Sequence, residues 1–114
     1  MTRIYKLIDR PSWEAAVAAG RFDGSPVDLA DGYIHFSTAA QAAETGRRYF
    51  HGHGDLLVVG FEAEALGDGV RWEPSRGGDL FAHLYASLDP TLAVETQAVA
   101  LDAEGAPQLS ALKP

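Results

Sequence analysis

Three short stretches of this sequence carry polar side chains that can transfer a proton or bind an anion. Within each stretch two such residues stand two positions apart in an apolar run: His35 and Ser37, Arg71 and Glu73, and His83 and Tyr85. Successive side chains of a β-strand point to opposite faces, so residues two apart share a face. If the three stretches are neighbouring strands, we expect these six side chains to converge on one wall of the molecule.

His35 is the strongest candidate for acid–base catalysis, because an imidazole titrates near neutral pH. Thr38 and Gln41 have the spacing of a capping box, which predicts that a helix begins at Ala39, close to His35. The first N–H groups of that helix, together with Ser37 and Thr38, would favour a phosphate or carboxylate ligand. Two alternatives stay open: His35 can be a structural hydrogen-bonding group, and either hydroxyl can serve only to cap the helix.

Arg71 and Arg76 are the candidate anion-binding cations. Arg71 offers a forked donor to a carboxylate or phosphate, and Arg76 lies in a Gly-rich loop between two predicted strands. Glu73 can orient a histidine or a hydroxyl group, which makes it a candidate catalytic residue. Alternatively, Arg71 and Glu73 form an ion pair on a solvated strand surface, where such a pair contributes little.

A second imidazole, His83, is a candidate catalytic residue, and Tyr85 is a candidate ligand-binding phenol two positions later. Tyr85 can equally be a core residue whose hydroxyl reaches water. The pair His51 and His53 admits a metal site because imidazoles are common ligands, but glycines flank both residues and the spacing is a weak signal. We therefore predict no metal and interpret this segment as a solvated turn.

We predict a single α+β domain over residues 1–114, with a mixed or antiparallel split sheet and two early helices. Apolar alternation, helix caps and turn residues divide the chain into its elements. In order they are a strand at 3–8, a helix capped by Asp9 and ending near Ala19, a loop at 22–31, a strand at 34–37, a helix from Ala39 to Tyr49 or Phe50, and strands at 56–61, 70–73, 80–85 and 92–101. Residues from Asp102 onward are predicted to form a hairpin remnant or a loose tail. This order does not fit a doubly wound parallel sheet.

Composition limits the classes of partner. The chain has 9 Lys and Arg against 16 Asp and Glu, a formal net charge of -7, which disfavours binding to duplex nucleic acid. It has no cysteine, which excludes disulfides, a thiolate nucleophile and Cys-ligated zinc. No apolar run approaches the roughly 18 residues of a membrane span, and the first ten residues lack the apolar core of a signal peptide. We expect a cytoplasmic protein that binds a small molecule and does not enter a membrane, and its oligomeric state stays open.

Several motifs together resemble the bacterial and plant domain-of-unknown-function 952 family over nearly the whole chain. They are Ile4-Tyr5, Trp13-Glu14-Ala15-Ala16, the segment from Asp31 to Ser37, Arg71-Trp72-Glu73-Pro74, Gly77-Gly78 and the segment from Leu80 to Tyr85. The positions characteristic of that family match His35, Ser37, Arg71, Glu73 and His83. The chain departs from the family's pattern at Ala82 and Ala86, where the resemblance leads us to expect a proline and a glycine.

The resemblance implies a fold of the ADP-ribosyltransferase type, in which a split, mixed sheet grips a dinucleotide in a cleft. By that analogy His35 would contact a ribose hydroxyl, and an NAD-like dinucleotide is a cofactor that the fold allows. Phe36 stands where the transferases have a glycine. No glutamate matches the usual catalytic position, although Glu73 and Glu95 are candidates. Fold analogy alone does not establish an activity.

Two hypotheses of function follow. In the first, a polar cleft containing His35, Glu73 and His83 binds a nucleotide-like or anionic small molecule and transforms it by transferase-like chemistry. In the second, the domain is a non-catalytic sensor or protein-interaction module whose histidines are structural. Loss of ligand binding on changing His35 or Arg71 would favour the first hypothesis, whereas loss of stability alone would favour the second.

Overall fold

The computed structural model describes residues 2–109 and 111–114, except the side chain of Arg76. Within them the strands form two sheets, and we number the strands in chain order. They are β1 (Arg3–Asp9), β2 (Ile34–His35), β3 (Ser37–Thr38), β4 (Leu56–Glu62), β5 (Val70–Pro74), β6 (Leu80–Leu84) and β7 (Glu95–Val99). The four-stranded sheet has the order β3-β1-β4-β7, the three-stranded sheet has the order β2-β6-β5, and the pairings are antiparallel.

The helices of the described chain are α1 (Arg10–Ala19), α2 (Pro26–Asp31) and α3 (Ala39–Tyr49). The Asp9 carboxylate accepts the Ser12 N–H at 2.9 Å at the start of α1, and capping boxes begin α2 and α3. Gly20 and Gly32 adopt the left-handed conformation that ends α1 and α2. Short 3-10 turns lie at Ala63–Gly69, Arg76–Gly78 and Pro90–Leu92. In the part of the chain described, helices long and apolar enough to cross a membrane are absent.

The four-stranded sheet lies between two apolar clusters. One face of β1, through Ile4 and Ile8, belongs to a cluster that includes residues of α1 and of the three-stranded sheet. The opposite face, through Tyr5 and Leu7, belongs to a second cluster with residues of α3 and with Leu109. Strand β4 is buried on both faces along nearly its whole length, as its continuous apolar sequence predicts.

The chain changes sheets at Phe36. Strand β2 pairs with β6 and strand β3 pairs with β1, while the Phe36 N–H between them donates to the Ala82 carbonyl at 3.0 Å. The prediction of one strand over residues 34–37 is therefore wrong. Because His35 and Ser37 belong to different sheets, the two-residue period of a strand does not place them on one face.

Two further segments differ from the sequence prediction. The predicted loop at 22–31 contains α2, which apolar periodicity misses because the helix is only 6 residues long. Its signal was the sequence Ser25-Pro26-Val27-Asp28, a capping box with proline in the first turn. The second is the segment from Asp102 onward, for which a hairpin remnant or a loose tail was predicted. An antiparallel bridge between Leu101 and Pro107 agrees with the hairpin. The loose tail does not fit, because Leu109 is buried and the Tyr5 hydroxyl donates to the Lys113 carbonyl at 2.7 Å.

The predicted α+β class is confirmed. The predicted strands at 3–8, 56–61, 70–73 and 80–85 each agree with the observed strand to within one residue at either end. The last strand is shorter than predicted at both ends: a 3-10 turn ends at Leu92, and the strand runs from Glu95 to Val99. Helix α2, which lies within the predicted loop at 22–31, packs next to β2.

Candidate functional site

Strands β5 and β6 bring His83, Glu73 and Tyr85 together. The Nδ1 atom of His83 lies 2.7 Å from Glu73 Oε1, and the Tyr85 hydroxyl donates to the same oxygen at 2.7 Å. The hydrogen bond from Tyr85, followed by that from His83, lowers the pKa of Glu73 below its usual value. The same contact raises the pKa of Tyr85. Glu73 is therefore an ionised acceptor that orients the His83 ring, and we call these two residues the His83–Glu73 pair.

The strand register places His83 between two other predicted site residues. It lies opposite Arg71 on β5 and opposite His35 on β2. The ring centroids of His35 and His83 are 5.6 Å apart. The guanidinium carbon of Arg71 lies 5.2 Å from the centre of the Tyr85 ring, within the range of a cation–π contact. Five of the six side chains expected on one wall are therefore close together here.

Both ring nitrogens of His35 face carboxylates. Nδ1 lies 2.6 Å from Asp28 Oδ1, and Nε2 lies 2.9 Å from Asp31 Oδ2. Both ring nitrogens of His35 are therefore within hydrogen-bonding distance of a carboxylate oxygen. Neither nitrogen is left without a partner in the protein. This geometry favours a positioning role for His35, whereas the sequence alone favoured a catalytic one.

Asp28 is a buried carboxylate that links α2 to both sheets. Its oxygens accept from the Lys6 ammonium at 3.0 and 2.8 Å and from the backbone N–H groups of Ser25 and His35 at 2.9 and 3.2 Å. Burial by itself would raise the pKa of Asp28, but the hydrogen bond from His35 and the charge of Lys6 outweigh burial and hold that pKa well below its usual range. Lys6 is also buried, so the two form an ion pair removed from water.

Tyr33 lies over the His83–Glu73 pair. Its ring stacks on His83, with centroids 4.0 Å apart and planes 25° from parallel. The same ring approaches His35 at 4.7 Å and Tyr85 at 5.2 Å between centroids. Burial, followed by the charges of two nearby carboxylates, raises the pKa of the Tyr33 hydroxyl. Three rings of the site therefore meet on one tyrosine.

A cavity of about 640 Å³ opens beside His83 and is lined by residues of both sheets, α2 and α3. Its polar lining includes Lys6, Asp31, His35, Ser37, Thr45, Ser75 and His83, and its aromatic lining includes Tyr33, Phe36, Tyr49, Phe50 and Phe81. A volume of this size, with apolar walls and a few polar groups, is typical of sites for small molecules. Of the His83–Glu73 pair, His83 lines this cavity and Glu73 does not.

The remaining predicted ligand-binding residues are placed differently. The Ser37 hydroxyl lies 2.9 Å from the Thr45 hydroxyl of α3, at the cavity wall. Thr38 begins α3 in a capping box with Gln41, whose Oε1 accepts the Thr38 N–H at 3.0 Å. This box occupies the helix start that the sequence analysis offered to an anion. The side chain of Arg76 lies outside the described residues, so its role stays a prediction.

Sequence reasoning missed Lys6, Asp28, Asp31 and Tyr33. Two signals were available: a lysine inside an otherwise apolar strand, and the capping box that contains Asp28. Neither signal identifies its partner, because Lys6 and Asp28 meet only through the tertiary fold. Asp31 and Tyr33 lie in the segment from Asp31 to Ser37 that carries the family resemblance, but that resemblance gave neither residue a role.

Of the two histidines in the turn after α3, His53 lines the same cavity as His83, and His51 does not. Nε2 of His51 lies 2.6 Å from the Glu104 carbonyl, and the His53 ring contacts Phe50 edge to face at 5.5 Å between centroids. Among the side chains described in residues 2–109 and 111–114, we find no group of three or more histidines and carboxylates placed to hold a metal ion. Residues 51–55 are exposed, in agreement with the solvated turn predicted from the sequence.

Comparison with known proteins places the chain in a family. Residues 7–98 match the family described as protein of unknown function (DUF952). No curated protein matches the chain. The crystal structure of protein CC0527 from Caulobacter crescentus is 49% identical to this chain, with a TM-score of 0.93 and 95% of each chain covered. The solution NMR structure of CC0527 is 50% identical, with a TM-score of 0.86 and coverage of 96% of this chain and 94% of that chain. The chain therefore belongs to the DUF952 family.

Proposed function

We propose that this protein binds a nucleotide-like or anionic small molecule in the cavity beside His83 and that the His83–Glu73 pair moves a proton on that ligand. The observation that carries the proposal is the position of His83. Its Nδ1 is held by Glu73 at 2.7 Å, and its ring lies on the wall of the 640 Å³ cavity. The side-chain hydrogen bond of His83 among the described residues uses Nδ1, so Nε2 is the ring nitrogen left for a ligand.

The chemistry follows from the tautomer that Glu73 selects. A carboxylate at Nδ1 accepts the N–H there, which leaves Nε2 unprotonated in the neutral ring and able to act as a general base. After taking a proton, the imidazolium is stabilised by the negative charge of Glu73 and can return the proton to a leaving group. His83 is thus the candidate catalytic residue, and Glu73 is its positioning residue.

The cavity lining supports the class of ligand. Aromatic side chains line the cavity and can stack on a planar base, while Ser37 and Lys6 bring polar atoms to the same wall. Arg71 is not a lining residue, but it lies opposite His83 on β5 and can supply a cation to an anionic group that extends beyond the cavity. From the resemblance to ADP-ribosyltransferases we include dinucleotides such as NAD among the candidate ligands and a transferase-like step among the candidate reactions.

A second function, that of a non-catalytic sensor or protein-interaction module, is favoured by one observation. Both ring nitrogens of His35 are engaged by Asp28 and Asp31, and Asp28 is itself buried against Lys6. Such a network serves the fold whether or not a ligand binds. In this alternative, His83 is likewise a structural residue, and its loss lowers stability without changing any small-molecule affinity.

The test is a thermal-shift and calorimetric screen of the wild-type protein against nucleosides, nucleoside monophosphates, dinucleotides and sugar phosphates. A ligand at 100 times its Kd adds about 2.7 kcal/mol of stability. We expect that His83→Gln abolishes the ligand-induced shift, whereas His51→Gln, in a residue outside the cavity lining, retains it. Equal shifts in the wild type and in His83→Gln would contradict the proposal. A destabilised His83→Gln together with no ligand for the wild type would support the interaction module.

A further inference from the structure

The ring of Tyr33 occupies the centre of the proposed site. It stacks on His83 at 4.0 Å, lies 4.7 Å from the His35 ring and lies 5.2 Å from the Tyr85 ring. His83 retains only 3% of its surface exposed. A ligand that meets the flat face of the His83 ring on this side must therefore take the place of Tyr33.

The contacts of the Tyr33 side chain allow it to rotate away from His83. Among the described residues its side chain makes ring contacts, and no hydrogen bond from its hydroxyl is found. The backbone before it contains Gly32, in the left-handed conformation at φ 88°, with open space around the position of a Cβ atom. The Tyr33 N–H donates to the Asp28 carbonyl at 3.2 Å, so the backbone stays anchored while the side chain rotates.

Tyr33 also separates two cavities. A second cavity of about 250 Å³ lies on its other side, and its lining includes Asp28, Gly32, Tyr85 and Ser87. Tyr33 is the residue that the described linings of the two cavities share. Rotation of its side chain would join them into one cleft that runs past the face of His83. The larger part of that cleft is aromatic, and the smaller part carries Ser87 and the Tyr85 phenol.

We propose that Tyr33 is a placeholder for the ligand: its ring holds the seat on His83 that a planar aromatic or heteroaromatic ring of the ligand takes when it displaces Tyr33. The inference rests on the proposed function, because it assigns a ligand group to the same site. It restricts the ligand class to molecules with a flat ring about the size of a phenol ring or a nucleobase. Sugar phosphates without a base fall outside that class.

Removing the Tyr33 ring changes the affinity for the ligand in opposite directions, depending on whether Tyr33 competes with the ligand or stacks on it. If Tyr33 competes with the ligand for the seat, removing its ring tightens binding, because the ligand no longer has to displace it. If Tyr33 instead stacks on a bound ligand, removing its ring weakens binding. If Tyr33 serves only the fold, its removal lowers the melting temperature and leaves affinity unchanged.

The first experiment uses phenol as the probe on the full-length protein. We expect Tyr33→Ala to bind phenol, with a rise in melting temperature and a shift of the His83 ring signals in the NMR spectrum. The wild type and Trp72→Ala, which removes an exposed aromatic ring outside both cavity linings, should show neither change. Equal phenol binding by all three proteins, or binding by none, would overturn the inference.

A second measurement does not depend on the Ala variant folding. Wild-type protein labelled with 3-fluorotyrosine is titrated with AMP, GMP, UMP and CMP, and the Tyr33 resonance is assigned with Tyr33→Phe. Displacement predicts that the Tyr33 signal moves to the position of a solvent-exposed tyrosine on binding. A Tyr33 signal that stays at its buried position in the nucleotide complex would overturn the inference.

The two proposals fail in distinguishable ways. Phenol binding by Tyr33→Ala with no nucleotide bound by any variant would uphold the placeholder and remove nucleotides from the proposed function. Nucleotide binding that weakens several-fold in Tyr33→Ala would make Tyr33 a stacking wall and leave the proposed function intact. Several-fold tighter nucleotide binding in Tyr33→Ala would uphold both.

Discussion

The Oδ1 atom of Asp28 lies 2.6 Å from the Nδ1 atom of His35 and accepts the backbone N–H of His35 at 3.2 Å. The ladder between β1 and β3 stops at Tyr5 and Ser37. Continued by two residues, the same register would place Leu7 opposite His35. Because the His35 N–H turns to Asp28 instead, pairing with β1 ends there and the two sheets separate. Asp28 therefore holds open the split in which the candidate site lies.

Breaking the Lys6–Asp28 pair should destabilise the fold strongly. Asp28→Asn leaves the buried Lys6 ammonium without a counter-charge, at a cost of about 3 to 5 kcal/mol. We expect the melting temperature to fall by roughly 10 °C or more. The double variant Lys6→Met with Asp28→Asn removes both charges, so it should lose less stability than the sum of the single variants. Urea unfolding of the four proteins measures this coupling energy.

An exposed ion pair provides the control for that cycle. Arg10 and Asp55 are 2.8 Å apart, with side chains 41% and 59% exposed. Asp55→Asn should cost less than about 1 kcal/mol, because water screens the pair. Asparagine also tolerates the left-handed conformation that Asp55 adopts. A cost at Asp28 as small as that at Asp55 would show that the buried pair does not hold the split.

Stability should depend on Asp28 in the acid range. The pKa of Asp28 in the folded protein is held below its usual value, so the unfolded chain binds a proton at higher pH than the folded chain does. The stabilisation is complete above the ordinary aspartate pKa of about 4 and is lost as the pH falls toward the folded pKa. The difference in unfolding free energy between the wild type and Asp28→Asn should therefore shrink from pH 6 to pH 2.5. Urea midpoints measured across this range test the sign, and a difference independent of pH would refute it.

Local sequence patterns were sufficient for much of the fold. The strand at Leu56–Glu62 is apolar up to its last residue, and the strand at Leu80–Leu84 is an apolar run interrupted by His83. Thr38 and Gln41 fix the start of α3. Alternation within a strand is a short-range property, so the sequence could predict which residues of β5 and of β6 share a face. His83 and Glu73 meet as expected, since β5 and β6 pair as neighbours.

The features that the sequence could not predict depend on tertiary contacts. Two backbone hydrogen bonds set the change of sheet at Phe36. The Phe36 N–H donates to the Ala82 carbonyl, and the His35 N–H donates to the Asp28 carboxylate instead of to β1. Ala82 is distant from Phe36 in the sequence, and Asp28 lies in a segment that lacks apolar periodicity. Tyr33 reaches His83 only because β2 pairs with β6, and a single tyrosine between a glycine and an isoleucine carries no pattern.

Thr38 should act as a helix cap and not as a ligand-binding residue. Thr38→Ala removes the hydroxyl from the capping box of α3, so it should lower the free energy of unfolding by about 1 kcal/mol. Thr38→Ser keeps the hydroxyl and should retain most of that stability. For any ligand found in the screen, the thermal shift should be the same in Thr38→Ala as in the wild type. A ligand shift that disappears in Thr38→Ala and returns in Thr38→Ser would instead assign the hydroxyl to the site.

Gly46 in α3 should resist replacement by alanine, although alanine is the better helix former by about 1 kcal/mol. A Cβ atom at this position would lie 2.9 Å from Leu109 Cδ1 and 3.3 Å from two carbons of the Pro107 ring. Leu109 is buried and the Pro107 ring is stiff, so the C-terminal segment would have to move away from α3.

The expected result for Gly46→Ala is a net loss of about 1 kcal/mol or more in urea unfolding, because overpacking outweighs helix propensity. Ala43→Gly, at an exposed position of the same helix, isolates the propensity term and should cost about 1 kcal/mol by itself. Combining Gly46→Ala with Leu109→Ala should relieve the clash, so the pair should be less destabilising than the sum of its parts. A stabilised Gly46→Ala would mean that the C-terminal segment does not pack against α3 in solution. The residues after Asp102 would then form the loose tail, which the sequence left open as the alternative to a hairpin remnant.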